Sequence, residues 1–384
     1  MKKVLFVHDG PLRIDNDNNY YGVQAGDAQR QRYLSLGDSI TYIMRLKVIS
    51  DSEINKYSLI KNENFSFIEI PNFLSILKLS YKRNAIKIIK DGVDNHDIIV
   101  ARLPSAAGAI AVAYAKSINK PILIELVACV YDALWNYDWR GKLLANYKLK
   151  KYQAILKDAS HVIYVTTEFL QKRYPTKGKS IGCSDVVLKD IDTTVLKKRL
   201  LKIENIQEPL VLGTVAAIDV PYKGQADVIN VIAKSNKKTL IYKIVGQGNS
   251  NKLQNLVDQN QLQSEVQILG SLSHDQVFGF IDDIDLYIQP SKQEGLPRAV
   301  IEAMSRACPV VGSNIAGIPE LINEAALFEA GNLDDIKNVL TQIDKNILSQ
   351  WAVENFKKAV EFKRETLDGK RKQFYEQFKH DFNL

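Results

Sequence analysis

Cysteine is scarce in this sequence. Cys129, Cys183 and Cys308 are the only three. They are far apart and odd in number, so they form neither a zinc motif nor a disulfide framework. A reducing cytoplasm fits that usage. Long apolar runs are also missing. Nothing reaches the roughly 18–20 residues of a membrane helix, and the best candidate, from Pro121 to Trp135, is interrupted by Glu125 and Asp132. The opening Met-Lys-Lys-Val-Leu-Phe-Val-His-Asp is apolar only from Val4 to Val7, which reads as a first strand rather than a secretory signal. Internal repeats and low-complexity tracts are absent. A dinucleotide fingerprint is incomplete too. Gly246-Gln247-Gly248 has Asn251 where the third glycine belongs, and no acidic residue follows about 20 positions later at a strand end.

What remains is an ordinary globular composition. A chain of 384 residues, 46% hydrophobic, can bury two cores, because single cores rarely outgrow roughly 250–300 residues. The net charge of +7 is uneven: residues 1–200 hold 31 Lys+Arg against 20 Asp+Glu, and residues 201–384 hold 20 against 24. Such asymmetry suggests an anionic partner for the first half, either nucleic acid or an anionic membrane surface. No recognised nucleic-acid motif accompanies the charge, so nucleic acid is not expected as a partner. The segment Phe73–Lys90 interleaves Ile76, Leu77, Ile86 and Ile89 with Lys78, Lys82, Arg83 and Lys87. It reads either as a helix packed on a sheet with solvated lysines or as one lying on a membrane.

Short β-rich runs alternate with helix-like runs along the chain, the pattern of α/β layers with parallel sheets. Residues 3–7, 39–44, 65–70, 97–101, 121–126 and 161–165 read as strands of a first domain, with helices over 24–36, 76–90, 106–118 and 143–159. In a second domain the strands are 210–215, 239–245, 266–269, 285–288 and 310–312. The polar stretch 197–209 reads as a linker, which puts the boundary near 200 and the domains at 1–200 and 201–364. Residues 365–384 read as a charged terminal helix.

The most informative stretch runs from Gln289 to Met304, Gln-Pro-Ser-Lys-Gln-Glu-Gly-Leu-Pro-Arg-Ala-Val-Ile-Glu-Ala-Met. A buried strand enters a Gly/Pro loop, and a helix follows with Pro297 suited to its first position. The N–H groups of Arg298 and Ala299 are then unpaired at a helix start that favours phosphate. Glu302 lies about one and a half turns in at roughly 3.6 residues per turn and leans back towards that end. Glu294 comes from the loop on the other side. An anion site flanked by two carboxylates, each able to accept from hydroxyls, suits a nucleotide sugar.

Glu294 and Glu302 with seven residues between them, then Ala303-Met304, Pro309-Val310-Val311 and Gly317-Ile318-Pro319-Glu320-Leu321, resemble the signature of retaining GT-B glycosyltransferases of family 4. The resemblance implies two Rossmann-like domains facing across a cleft, the first binding acceptor and the second donor, with the terminal helix returning to the first. It implies catalytic roles for Lys223, which would neutralise the donor diphosphate, and for Glu294, which would hold hydroxyls of the donor sugar. Glu302 would take the ribose hydroxyls, the backbone of Gly295, Leu296, Arg298 and Ala299 would cradle the diphosphate, and Gly246 with Gly270, Ser271 and Leu272 would line the base pocket. The family's arginine six residues before Lys223 is replaced by Ala217, and Arg298 is a candidate to supply that charge. No cofactor and no metal are expected. The triplets Asp15-Asn-Asp17, Asp190-Ile-Asp192 and Asp283-Ile-Asp285 are read as chance matches to an Asp-x-Asp metal site.

For the acceptor, Gly22 and Gly26 are what remains of a glycine-rich turn, while His8 and Arg102 follow predicted strands. Glu125, at the end of a predicted strand, either orients or deprotonates the acceptor hydroxyl, or is a satisfied polar residue there. The stretches 102–105, 124–135 and 164–175 together resemble transferases of bacterial capsular and exopolysaccharide assembly. The implied reaction is metal-independent, retaining transfer of a sugar from a UDP- or GDP-linked donor to a glycan or lipid-diphosphate-linked acceptor, in the cytoplasm or at the inner face of its membrane. A subunit of the same shape that binds nucleotide sugar without turnover is the alternative, motivated by Ala217.

Overall fold

The computed structural model describes residues 1–22, 26–73, 79–188, 191–235 and 239–384. The chain forms two compact units. The first comprises Met1–Tyr131, Leu143–Cys183 and Gly369–Leu384, and the second Asp132–Lys142 and Ser184–Asp368. Both are α/β with parallel, Rossmann-like sheets.

In the first unit the parallel strands run Phe65–Glu69, Ser39–Val48, Lys3–Ile14, Ile98–Leu103, Ile122–Leu126, His161–Tyr164, Lys179–Gly182 across the sheet. The chain thus winds outward one way from the central strand and then the other. The strands are near-continuous apolar runs because both faces are covered, and Leu5, Ile43, Ile99, Ile124 and Val162 are buried together. The opening strand exceeds expectation. Residues 9–21 are mostly polar, yet after a register shift Pro11–Ile14 pairs with Arg45–Val48 and turns back onto Tyr20–Gly22. The turn closes on one carboxylate: Asp15 accepts from Asp17 N–H at 3.0 Å, Asn19 N–H at 2.8 Å and Tyr21 Oη at 2.8 Å.

The helix Leu79–Asp94 turns Ala85, Ile89 and Val93 inward and leaves Lys82, Arg83, Lys87 and Lys90 exposed. It packs on the sheet with solvated lysines. The Leu74–Lys78 part of that segment lies outside the described residues, as do Val23–Ala25 and Asp190. Among the described residues no helix is long and apolar enough to cross a membrane.

The second unit's six described strands lie in the order Val266–Gly270, Leu240–Val245, Leu210–Val215, Leu286–Gln289, Val310–Ser313, Leu327–Phe328, all parallel. The expected boundary near 200 falls inside the helix Thr194–Glu204, and the unit already begins at Ser184. The stretch expected as a linker is a packed helix. Val195, Arg199 and Ile203 share its buried face, an i, i+4, i+8 stripe hidden in the sequence by lysines. Arg199 donates to the carbonyls of Ile284 at 2.6 Å and Ile281 at 2.7 Å, and Lys202 to that of Asp283 at 2.6 Å. These cations satisfy the carbonyl end of the helix His274–Asp283, where basic side chains are favoured.

The final helix, Arg364–Asp381, ends in the first unit, whose residues 369–384 bury Phe374, Tyr375 and Phe378. The His161 ring meets Phe378 edge-on at 5.1 Å, and Asp381 accepts from Lys179 at 2.6 Å and lies 3.0 Å from His161 Nε2. Phe378→Ala is expected to destabilise the first unit by about 3–5 kcal/mol, whereas His380→Ala, on the exposed face, is expected to change stability by under ~0.5 kcal/mol. Chemical denaturation followed by circular dichroism compares the two.

Candidate active site

In open α/β sheets, ligands bind beyond the carboxyl ends of the strands where the winding direction reverses. In the second unit that point lies between Leu210–Val215 and Leu286–Gln289. The loops leaving these two strands carry Lys223 and Glu294. A one-turn helix, Pro221–Lys223, precedes Gly224, whose φ is +79°. A side-chain carbon at Gly224 would lie 1.9 Å from the Pro290 carbonyl oxygen, so only glycine lets the two loops meet. Lys292 N–H donates to the Tyr222 carbonyl at 2.7 Å, and Lys292 Nζ lies 2.8 Å from Asp227.

Lys223 Nζ donates to Glu294 Oε1 at 2.7 Å. The same oxygen accepts from Gln289 Nε2 at 2.9 Å and Ser291 Oγ at 2.7 Å. Gln289 is oriented in turn by the buried Tyr287 hydroxyl, which donates to its Oε1 at 2.9 Å. The cation and carboxylate, read separately from sequence, are therefore one ion pair on a buried polar chain. Gln289, Ser291 and Tyr287 had been given no role. The first two sit in the quoted segment, but nothing in a linear reading aims them at Glu294.

Pro297 is the N-cap rather than the first helical residue. Its ψ of 117° is extended, and the helix runs Arg298–Ser305. The first N–H groups of a helix have no carbonyl partner within it; Gly295, Leu296 and Ala299 flank them, with Leu296 and Ala299 packed against the core. Glu302 is buried, and burial pushes its carboxyl above the usual range against the opposing pull of Arg298 and His274. Its Oε1 lies 3.4 Å from His274 Nε2 and 3.8 Å from Arg298 Nη1. Arg298 thus stands at Glu302, while the Ala217 carbonyl accepts from Gln225 Nε2 at 2.9 Å. His274 was overlooked. The signal was the Ser273-x-x-Gln276 capping box, which places His274 at the first helical position beside the Gly270 loop.

Gly246, Gly270, Ser271 and Leu272 follow the next two strands. Gly246 N–H donates to the Gly270 carbonyl at 2.8 Å, and a side-chain carbon at Gly246 would stand 1.7 Å from the Ala216 carbonyl oxygen. Three successive strand-end loops are thereby laced together. Among the described residues no group of three or more His, Cys, Asp or Glu could hold a metal ion. The acidic triplets have local partners: Asp15 closes its turn, Asp192 accepts from Thr194 N–H at 2.8 Å, and Asp285 accepts from Val211 N–H at 2.9 Å.

The first unit has the same reversal, between Lys3–Ile14 and Ile98–Leu103, with a different outcome. Asp9 accepts from the N–H groups of Ala106 and of Ala107, the latter at 2.7 Å, while Ser105 Oγ accepts from Gly108 N–H at 2.9 Å. The helix terminus at this switch point carries its own carboxylate. Burial raises the Asp9 pKa against the lowering effect of those N–H groups.

His8, Arg102 and Glu125 do come together at the ends of three neighbouring strands. Glu125 is buried; its Oε2 accepts from Tyr33 Oη at 2.7 Å and Arg102 Nη1 at 3.2 Å, while its Oε1 is buried without a hydrogen-bond partner among the described residues. Tyr33 was another residue missed from sequence. Gly22 is not part of this group. It ends the strand Tyr20–Gly22, where a side-chain carbon would lie 2.8 Å from Gly26 Cα.

Two parallel-sheet Rossmann-like units make the α/β architecture of GT-B glycosyltransferases. Solved structures agree. Sucrose-phosphate synthase from Thermosynechococcus elongatus superposes with a TM-score of 0.69 over 99% of this chain and 100% of that one, at 14% identity. Anabaena HepE, solved in complex with UDP, gives 0.66 over 98% and 100%, at 15% identity. Among curated proteins, Protein CapJ of Staphylococcus aureus is 29% identical over 359 residues, covering 92% of this chain and 88% of CapJ. The O-antigen biosynthesis glycosyltransferase WclY of Escherichia coli is 30% identical over 146 residues, 38% of this chain and 40% of that protein. Residues 197–359 match the family Glycosyl transferases group 1. The chain carries a glycosyl transferases group 1 domain and is a glycosyltransferase.

Gly10 N–H donates to His8 Nδ1 at 2.9 Å, and burial, then the Arg102 and Arg45 charges, lower the His8 pKa from 6.5 to about 4. The unfolded histidine takes up its proton first as pH falls. The stability this adds is complete above about 6.5 and is lost from there towards 4. His8→Gln is expected to flatten that portion of the stability–pH curve in urea unfolding. An unchanged slope would assign the titration elsewhere.

Proposed function

We propose that the chain transfers a hexose, with retention and without a metal, from a UDP- or GDP-sugar to a glycan or lipid-diphosphate-linked acceptor in cell-surface polysaccharide assembly. The observation that carries the donor reading is the Lys223–Glu294 pair at 2.7 Å at the switch point that also holds a helix N-terminus and the buried Glu302. Lys223 Nζ has two further N–H groups to offer a diphosphate. As the bond from the anomeric carbon to phosphate breaks, the electron pair stays on the diphosphate, and a fixed cation with the helix N–H groups stabilises that growing charge more than the ground state. The acceptor oxygen bonds to the same face of the anomeric carbon, and its proton passes to the oxygen of the departing diphosphate. Glu294, held through Oε1, offers Oε2 to the sugar hydroxyls, and Glu302 takes the ribose hydroxyls.

Retention and metal independence are supported by the resemblance of the segment Gln289–Ile322 to retaining enzymes. The polysaccharide setting is supported by the similarity to CapJ and WclY, and UDP by the HepE complex. The first unit is read as the acceptor side, with Arg102, His8 and Glu125 facing the acceptor. Three free, buried cysteines suit a cytoplasmic setting. Ala217, where the family resemblance places an arginine, favours a second reading, a subunit that binds nucleotide sugar without turnover.

A panel of UDP-, GDP-, ADP- and CDP-sugars, read by thermal shift and nucleotide release, tests the assignment. One donor is expected to stabilise the protein and be turned over. Lys223→Ala is expected to lower kcat by about 10²–10³, and Glu302→Ala to weaken donor binding. Binding without release in the presence of candidate acceptors would favour the non-catalytic subunit. Indifference to every nucleotide sugar would defeat both readings.

A further inference from the structure

A glutamate side chain rotates about several bonds, so holding its carboxylate in one direction takes contacts from neighbouring groups. Glu302 has two such contacts, both on Oε1. Arg298 Nη1, one turn earlier on the same helix, lies at 3.8 Å, and His274 Nε2, from the helix His274–Asp283, lies at 3.4 Å. His274 is the nearer and the better fixed. Ser273 Oγ accepts from Gln276 N–H at 3.4 Å, and Gln276 Oε1 accepts from Ser273 N–H at 2.9 Å, which pins the first turn of its helix. The Phe278 ring, one turn on, meets the imidazole edge-on at 5.0 Å with the planes 83° apart. The His274 side chain is still 61% exposed, whereas the Glu302 side chain that it faces is 8% exposed.

A helix N-terminus carries partial positive charge and gives no advantage to an imidazole placed there. The contact that rewards His274 is Glu302. Burial favours the neutral carboxyl of Glu302, and Arg298 and His274 are the groups that pull it back. The ionised form accepts hydrogen bonds through both oxygens, as a pair of hydroxyls requires. We propose that His274 is a positioning residue of the nucleoside subsite, holding Oε1 of Glu302 so that Oε2 faces the ribose hydroxyls of the donor. The inference rests on the reading of Glu302 as the ribose ligand. Arg298 is the weaker hold, because its guanidinium stands further off and its side chain is 38% exposed. Gly270, four residues before His274, has a φ of +72°, and a side-chain carbon there would meet nothing within 4 Å. The loop between them is therefore not packed shut against the place where a base would follow the ribose.

Isothermal titration calorimetry of the full chain with UDP, GDP and their 2′,3′-dideoxy counterparts tests it. The wild type is expected to bind one ribonucleotide about tenfold or more tightly than its dideoxy form. His274→Ala is expected to cut that preference by about three- to tenfold, with thermal unfolding and affinity for the dideoxy form unchanged. His274→Gln, whose side-chain amide can also donate to Glu302, is expected to restore most of it. In a Glu302→Ala background His274→Ala is expected to cost nothing further, because it acts through that carboxylate. A ribose preference undiminished in His274→Ala, or losses that add across the double variant, would overturn this inference and leave the donor reading standing. Binding of neither UDP nor GDP by the wild type, or equal binding of the dideoxy forms, would instead overturn the reading of Glu302 and the inference with it.

Discussion

One carboxylate oxygen organises the second unit's switch point. Glu294 Oε1 accepts from Lys223, Gln289 and Ser291 at once. Two long loops converge because these bonds, with Lys292 N–H on the Tyr222 carbonyl, tie them. Removing one partner of such a mostly buried pair typically costs about 3–5 kcal/mol, because it strands the other charge. The pair is therefore a scaffold for the two loops and, on the function proposed above, a reagent as well. The polar chain beneath it, from Tyr287 through Gln289, keeps the carboxylate in one orientation, so that its remaining oxygen faces a defined direction.

The two units share a winding pattern and differ in what occupies the reversal. In the second, the helix Arg298–Ser305 starts from an extended proline with no side-chain cap. In the first, Asp9 and Ser105 satisfy the equivalent groups. The difference arises from one short side chain at the register shift within the strand Lys3–Ile14, and it makes the units chemically unlike despite their common topology.

Much of this architecture was legible in the sequence. Parallel strands buried on both faces are short apolar runs, and runs such as 210–215 stand out. So did the glutamate segment, because strand, loop, proline and helix are contiguous there. What escaped was whatever depends on distant partners. Lys223 and Glu294 are 71 positions apart, so their pairing has no local pattern, and the same holds for Tyr33 with Glu125. The helix Thr194–Glu204 looked like a linker because lysines and an arginine obscure its stripe; their targets are carbonyls some 80 residues away. The extension of the opening strand was hidden by Asp9–Tyr21, whose polar residues build a turn rather than a loop.

The carboxylate of Asp9 also has a consequence for selectivity in a crowded cell. An uncapped helix terminus is indifferent to which phosphate it holds, and the commonest phosphates in the surrounding fluid would compete for it continually. Because Asp9 is covalently part of the chain, its local concentration cannot be matched by any dissolved anion. The helix terminus of the first unit is thus closed to dissolved phosphates, and on the function proposed above it is the second unit, with Glu294 and Glu302, that takes a sugar-linked one.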